Sequence, residues 1–433
     1  MSQQQESKPP SGGVEEPEFA AFIAIDWADQ KHVWALQMAG SDQREQGEIE
    51  HGPEAVDAWM QTLLQRFGGR PLAVCLEQAR GALLYLLMKY PNLVLYPIHP
   101  AAVKRFRAAL YPSGTKNDPL DAALQLELLV HHRPRLRAWK PDTVETRMLQ
   151  ILVEYRRQLV DQRTAESNRL TQVLKLYYPQ ALDWFDHPAS ALVGAFLKRW
   201  PTLQSARKAR AQTLRDFFHQ HNCRNQELIQ QRIQRIGQAT PATSDPALLR
   251  TCVLQVKHLL QSLAGLRHSI AELDKEIRSV SRNHPDFPVF DSFPGAGEAL
   301  GPRLIAAFGT QRERFSSATD VQSFSGIAPV TERSGKTERV HFRWACPKFV
   351  RQTFHEWASH SIGFCDWARA YYLQQRDKGA EHHAAVRSLA AKWIRIAYRC
   401  WKDRTLYNQQ LYLDALRRHG SPLVAKIASS QRC

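Results

Sequence analysis

Short apolar runs separated by polar turns dominate the first hundred residues. Residues 19–28 (FAAFIAIDWA) concentrate Phe22, Ile23 and Ile25 in a run of strand length, and residues 32–40 and 44–52 follow as hairpin partners. Ala55, Trp59, Leu63 and Phe67 then recur at helical spacing before a Gly-Gly stop. A second buried strand, PLAVCLEQA (71–79), leads into a helix from Ala82 to about Tyr90. The strand LVLYPIHP and the helix AAVKRFRAAL come next, and YPSGTKNDPLDAAL (111–124) opens the last helix of the region. The order β-β-β-α-β-α-β-α predicts a mixed sheet covered by helices.

From Thr143 the period changes. Met148, Leu152, Tyr155 and Leu159 are spaced as heptads until Gln162, Glu166 and Arg169 interrupt them. Later, Leu249, Cys252, Val256, Leu259, Leu263, Leu266, Ile270, Leu273 and Ile277 alternate steps of three and four, which predicts a coiled coil. Its seam closes against the earlier helix, against a second copy, or both. An Arg- and Gln-rich helical insert lies between the two. Beyond residue 290, Gly295 and Gly297 separate helical segments, as a helix-hairpin-helix or a plain inter-helix turn requires. The fold class is thus α/β plus all-α: a tail at 1–18, a mixed-sheet domain at 19–140, a coiled-coil region with the basic insert at 141–285, and a mainly helical domain at 286–433.

Charge narrows the function. Lys plus Arg number 58 against 42 acids, a net of +16, and a protein so basic is expected to meet a polyanion, nucleic acid before membrane. No apolar run approaches the roughly 18 residues of a span, and seven cysteines without a C-x-x-C pair predict reduced thiols and a cytoplasmic setting. Basic clusters at Lys104-Arg105-Arg107, Arg133-Arg135-Arg137 and Arg207-Lys208-Arg210, with Lys116, are either solvated faces or phosphate contacts. Trp344, Trp357 and Trp367 either stack on bases or pack in a core.

Against this basic background four acids stand out. Asp26 lies inside an apolar strand, where a charge needs a partner or a metal. Glu77 closes AVCLE at a strand end, where ligands of open α/β sheets gather. Asp118 and Asp121 share one helix face; Asp118 also reads as an N-cap, with Pro119 as the first helical residue. Convergence of the four would make a hard-oxygen site for Mg²⁺ or Mn²⁺, suited to a phosphodiester. Ser334, beside Gly335 and amid Arg333, Lys336, Arg339 and Arg343, is a nucleophile candidate with phosphate-holding neighbours, or a turn in a basic loop.

The layout of Asp26, Glu77, Asp118 and Asp121 resembles the RuvC-like, RNase H-fold domain of the DEDD-type insertion-sequence transposases. FPGAGEALGPRLIAAFG and RFSSATDVQSFSGIAPVTERSGKTERVHFRW resemble the second signature domain of that family. The resemblance spans roughly residues 19–136 and 290–387. It implies a recombinase of a mobile element acting on donor and target DNA, with the four acids as metal ligands and Ser334 as nucleophile. It further implies guidance by a structured noncoding RNA (the bridge RNA), and dimers assembling into a tetramer with composite active sites. Two other readings stay open: a RuvC-like nuclease that only hydrolyses, using water as attacker, and a non-catalytic nucleic-acid-binding protein.

Overall fold

The computed structural model describes residues 17–77, 81–111, 118–185, 187–335 and 337–430. It divides into two compact units at Pro141/Asp142. In the first, β1 (Ala21–Asp26), β2 (Lys31–Met38), β3 (Arg44–Glu50), α1 (Pro53–Arg66), β4 (Leu72–Leu76), α2 (Ala82–Leu87), β5 (Leu93–Pro97), α3 (Pro100–Leu110) and α4 (Asp118–His132) follow the expected order. The strands lie in the order β3-β2-β1-β4-β5, antiparallel across β1–β2–β3 and parallel across β1–β4–β5. Both faces of the sheet are covered. Ile23, Ile25, Leu36, Val74 and Leu76 pack on Val56, Met60 and Leu63 of α1 and Leu83, Leu84 and Leu87 of α2. On the other face Ala24, Ala35, Ala73 and Cys75 are small, which lets α4 seat Ala122, Leu126 and Leu129 closely. The second helix stops at Leu87 rather than near Tyr90, ahead of Pro91. Asp118, read as a cap, lies within the first turn of α4.

The second unit is almost wholly helical. Its spine is α5 (Val144–Tyr177), then five short helices, α6 (Gln180–Trp184), α7 (Ala191–Arg199), α8 (Leu203–Arg207), α9 (Ala211–Gln220) and α10 (Gln226–Gln238), and the return helix α11 (Pro246–Arg282). The two long helices pair within the chain as an antiparallel hairpin, tied by an Arg156–Asp274 ion pair and a 2.9 Å Thr146 Oγ1–His284 Nε2 hydrogen bond. Leu149, Val153 and Ile277 belong to one core; Leu170, Leu174, Cys252, Val256 and Leu260 join the insert's Trp184, Phe196 and Phe218 in another. This corrects the phase expected for α5 in part, since Leu159 is buried and Leu152 packs against the core as expected. Met148 and Tyr155 are exposed, and Leu149 and Val153 take the seam, because apolar residues occupy both adjacent stripes of that helix.

The remaining helices are α12 (Phe287–Asp291), α13 (Gly297–Phe308) and α14 (Ala318–Phe324), then, after a hairpin of β6 (Val330–Ser334) and β7 (Thr337–His341), α15 (Lys348–Ser361), α16 (Asp366–Asp377), α17 (His382–Asp403), α18 (Gln409–Arg418) and α19 (Leu423–Ser430). Trp357, Trp367, Trp393 and Trp401 are fully buried among them. Their indole N–H groups donate to Pro294 O (3.1 Å), Tyr407 Oη (2.8 Å), Ser361 Oγ (2.8 Å) and Gly309 O (2.7 Å) respectively. Trp357 and Trp367 are therefore core residues, and only Trp344 of the three candidates, 77% exposed, is open to a base. Gly295 (φ +73°) leaves little room for a Cβ, which would lie 3.1 Å from Ser361 Cα, so the expected inter-helix turn is packed on the end of α15.

Candidate active site

The carboxylates are gathered by sheet register. Ile25 of β1 pairs in parallel with Leu76 of β4, so the next residues, Asp26 and Glu77, emerge side by side at the carboxyl edge. Alternation puts Asp26 on the face of Ala24, the one covered by α4. The first turns of α4 present Asp118, Asp121 and Gln125 at helical spacing. Burial, then the charges of Glu77, Asp121 and Asp118 in that order, push the Asp26 carboxyl up to about 7. All four acids thus share one electrostatic neighbourhood. Among the described residues no three acid, His or Cys side chains are drawn close enough to hold one ion together. The donor set nonetheless fits a hard divalent cation: it is all carboxylate, and its mutual repulsion is what such a cation relieves.

Two positively polarised partners enter this cluster. Gln125, fully buried, donates from Nε2 to Asp26 Oδ1 at 3.2 Å, and its Oε1 faces Cys75 Sγ at 4.0 Å. Burial raises the Cys75 thiol, which stays protonated and so fixes which end of the amide meets Asp26. Arg107, expected as a phosphate contact, instead ion-pairs with the buried Asp121. Nearby, buried His32 accepts from Ala28 N–H at Nδ1 (3.2 Å), which leaves its Nε2–H to donate to His51 Nδ1 (3.0 Å). Burial and the neighbouring His51 lower the His32 pKa, so the His32 ring braces the β1–β2 turn in its neutral form.

Ser334 ends β6 in the second unit. It pairs with Thr337, and Gly335 (φ +57°) begins a two-residue turn between them. Every residue of the hairpin from Thr331 to His341 that is described is exposed, so Ser334 stands at a solvent-facing tip. Arg333 ion-pairs with Glu338 across the strands (3.0 Å), and His341 with Glu332 (3.0 Å).

Two family models match the chain, together over more than half of it. One, described as Transposase and of the DEDD type of IS110, matches residues 23–179 and so spans all four acids. The other, described as Transposase IS116/IS110/IS902 family, matches residues 288–373 and spans Ser334. The chain belongs to the DEDD-type insertion-sequence transposase family. Among its relatives, a mini-circle protein assigned as the transposase for IS117 of Streptomyces coelicolor is 26% identical over 91% of this chain and 97% of its own length. The IS116 44.8 kDa protein of Streptomyces clavuligerus is 24% identical over 89% and 96%, and the IS110 43.6 kDa protein of S. coelicolor 26% over 72% and 77%.

In this transposase-family chain the other candidates divide clearly. Lys104 and Arg105 are exposed on α3, and Arg339 on β7. Arg343 donates to Ala328 O at 3.3 Å. Lys116 and Lys336 lie outside the described residues. No described helix is long and apolar enough to cross a membrane. Gln125, Cys75 and the His32–His51 pair escaped the sequence reading. Of these only Gln125 left a signal, a polar residue in the otherwise apolar stripe Ala122, Leu126, Leu129.

Proposed function

We propose that this chain cuts and rejoins DNA as the transposase of an insertion sequence, guided by a structured noncoding RNA, with Ser334 as nucleophile and Asp26, Glu77, Asp118 and Asp121 as holders of Mg²⁺ or Mn²⁺. The observation that carries the reading is the shared field of the four acids at one sheet edge, registered by the rise of the Asp26 pKa. The exposed tip of the β6–β7 hairpin supports the nucleophile's role, since a serine that attacks a polymer has to be within the polymer's reach.

In the step proposed, the Ser334 Oγ–H bond gives up its proton and Oγ attacks a DNA phosphorus. A serine–phosphate ester forms, one deoxyribose oxygen leaves with its electron pair, and that oxygen takes a proton. The ester keeps the bond energy, so a second strand's hydroxyl can displace the serine without an external energy source. Divalent ions held by the four acids would supply positive charge against the developing phosphoryl charge. Gln125 holds the Asp26 carboxylate in one orientation, and Arg107 balances Asp121.

Incubation of the protein, its RNA and end-labelled DNA, followed by denaturing electrophoresis, tests this. The parent is expected to form a covalent protein–DNA species that Ser334→Ala abolishes together with strand cleavage. Continued nicking by Ser334→Ala would overturn the serine role in favour of hydrolysis by water. Persistence of all cleavage in Asp26→Asn would overturn the role of the acids.

A further inference from the structure

The second unit contains an open cleft of about 860 Å³, remote in sequence from the four acids and walled by α5, α13, α15, α16 and the start of α17. Arg156, Arg157 and Arg303 line it against a single carboxylate, Glu356. Glu356 accepts from Arg303 Nη1 (2.5 Å), Arg157 Nη1 (3.3 Å) and Gln352 Nε2 (2.7 Å), so both of its oxygens are engaged. Arg303 Nε donates to Thr353 Oγ1 (3.1 Å), and its guanidinium lies over the Phe349 ring at 4.9 Å. Asp274 and Asp161 hold Arg156 and the far side of Arg157, but neither lines the cleft.

This leaves donors in surplus. Arg303 Nη2 and Arg157 Nε are buried with no hydrogen-bond partner among the described residues. Unpaired buried donors of a cation are costly, and a small shift of either side chain toward an anion with several acceptor oxygens in the cleft would satisfy them. The rim has different chemistry. Phe364 is 65% exposed beside the buried Cys365, and the His360 ring lies against it with centroids 5.1 Å apart. His360 is itself anchored to Gly295 O (3.1 Å), and Tyr372 Oη bonds His382 Nδ1 (2.9 Å). A cationic wall beside a propped, exposed aromatic ring suits a phosphate chain carrying an unpaired base.

We infer that this cleft binds one single-stranded segment of nucleic acid, its phosphates on Arg157 and Arg303 and an unpaired base on Phe364. The inference rests on the proposed function, but none of its residues belongs to the carboxylate cluster or the Ser334 hairpin. DNA and RNA share the chemistry, and the test separates them.

Full-length protein is titrated, with divalent ions chelated, into fluorescently labelled single-stranded DNA, RNA of the same sequence, and duplex DNA, over a range of salt. Phe364→Ala, at an exposed position, is expected to keep the parent's thermal midpoint and weaken single-strand binding about tenfold. Arg157→Gln is expected to weaken it several-fold and to lower the salt slope by about 0.7. Loss on RNA alone or DNA alone identifies which strand the cleft takes, and equal loss on both identifies a site blind to the sugar. Unchanged single-strand affinity and salt slope in both variants, or losses confined to duplex, would overturn the inference while leaving the transposase reading in place. A parent that binds no nucleic acid in any form would overturn both.

Discussion

Asp26→Asn should make the protein more stable at pH 8 while leaving it unchanged at pH 4. In the folded chain this carboxyl is pushed up to about 7 by burial and by Glu77, Asp121 and Asp118, whereas in the unfolded chain it ionises in the ordinary range near 3.8. A raised acid binds its proton more tightly when folded. Its contribution therefore favours folding least at high pH: stability falls as pH rises from about 4 to about 7 and is level above that. At full strength the displacement corresponds to roughly 4 kcal/mol. The side chain is only half-buried, and solvent screening reduces this to roughly 1–2 kcal/mol. The substituted asparagine carries no charge and still accepts from Gln125, so the variant escapes the penalty. Calorimetry of the full chain should show its midpoint about 1–2 °C above the parent's at pH 8, and coincident with it at pH 4. Millimolar Mg²⁺ should raise the parent and not the variant, since a ligand of the folded state alone stabilises it. Midpoints that coincide at both pH values, or a parent blind to Mg²⁺, would refute the view that these four acids repel one another and together attract a cation.

Gln125→Leu removes the donor to Asp26 and strands the Cys75 thiol. The divalent-ion concentration for half-maximal cleavage should rise about 10- to 100-fold, with at most about 1 kcal/mol lost from the fold, read by titrating cleavage against Mn²⁺ and by urea unfolding. Gly295→Ala forces a left-handed backbone on alanine and drives its Cβ toward the Ser361 backbone. A loss of about 2–3 kcal/mol in denaturant unfolding is expected, and a parent-like midpoint would show that the turn relaxes freely.

Much of the first unit was legible because its residues obey one local rule each. Strand-length apolar runs became β1, β4 and β5, and the acids at their ends reached one edge because parallel register brings Asp26 and Glu77 together. What escaped depends on partners far along the chain. Nothing local says that Gln125 meets Asp26, or that Arg107 turns inward to Asp121 while Lys104 and Arg105 stay outside. On α5 two apolar stripes compete, and only the return helix decides that Leu149 and Val153 rather than Met148 and Tyr155 are buried. The β6–β7 hairpin reads as a loop because almost all its side chains are polar and exposed. Apolar periodicity, the signal that reveals most strands, is missing there.

The tryptophans buried in the second unit have an optical consequence. Trp393 lies 5.0 Å from Trp357 and 4.5 Å from Trp367, centroid to centroid. Indoles this near mix their electronic transitions, and the mixing weakens steeply as the rings separate. Near-ultraviolet circular dichroism therefore offers a label-free gauge of whether α15, α16 and α17 have closed on one another, read without any nucleic acid and independently of catalysis.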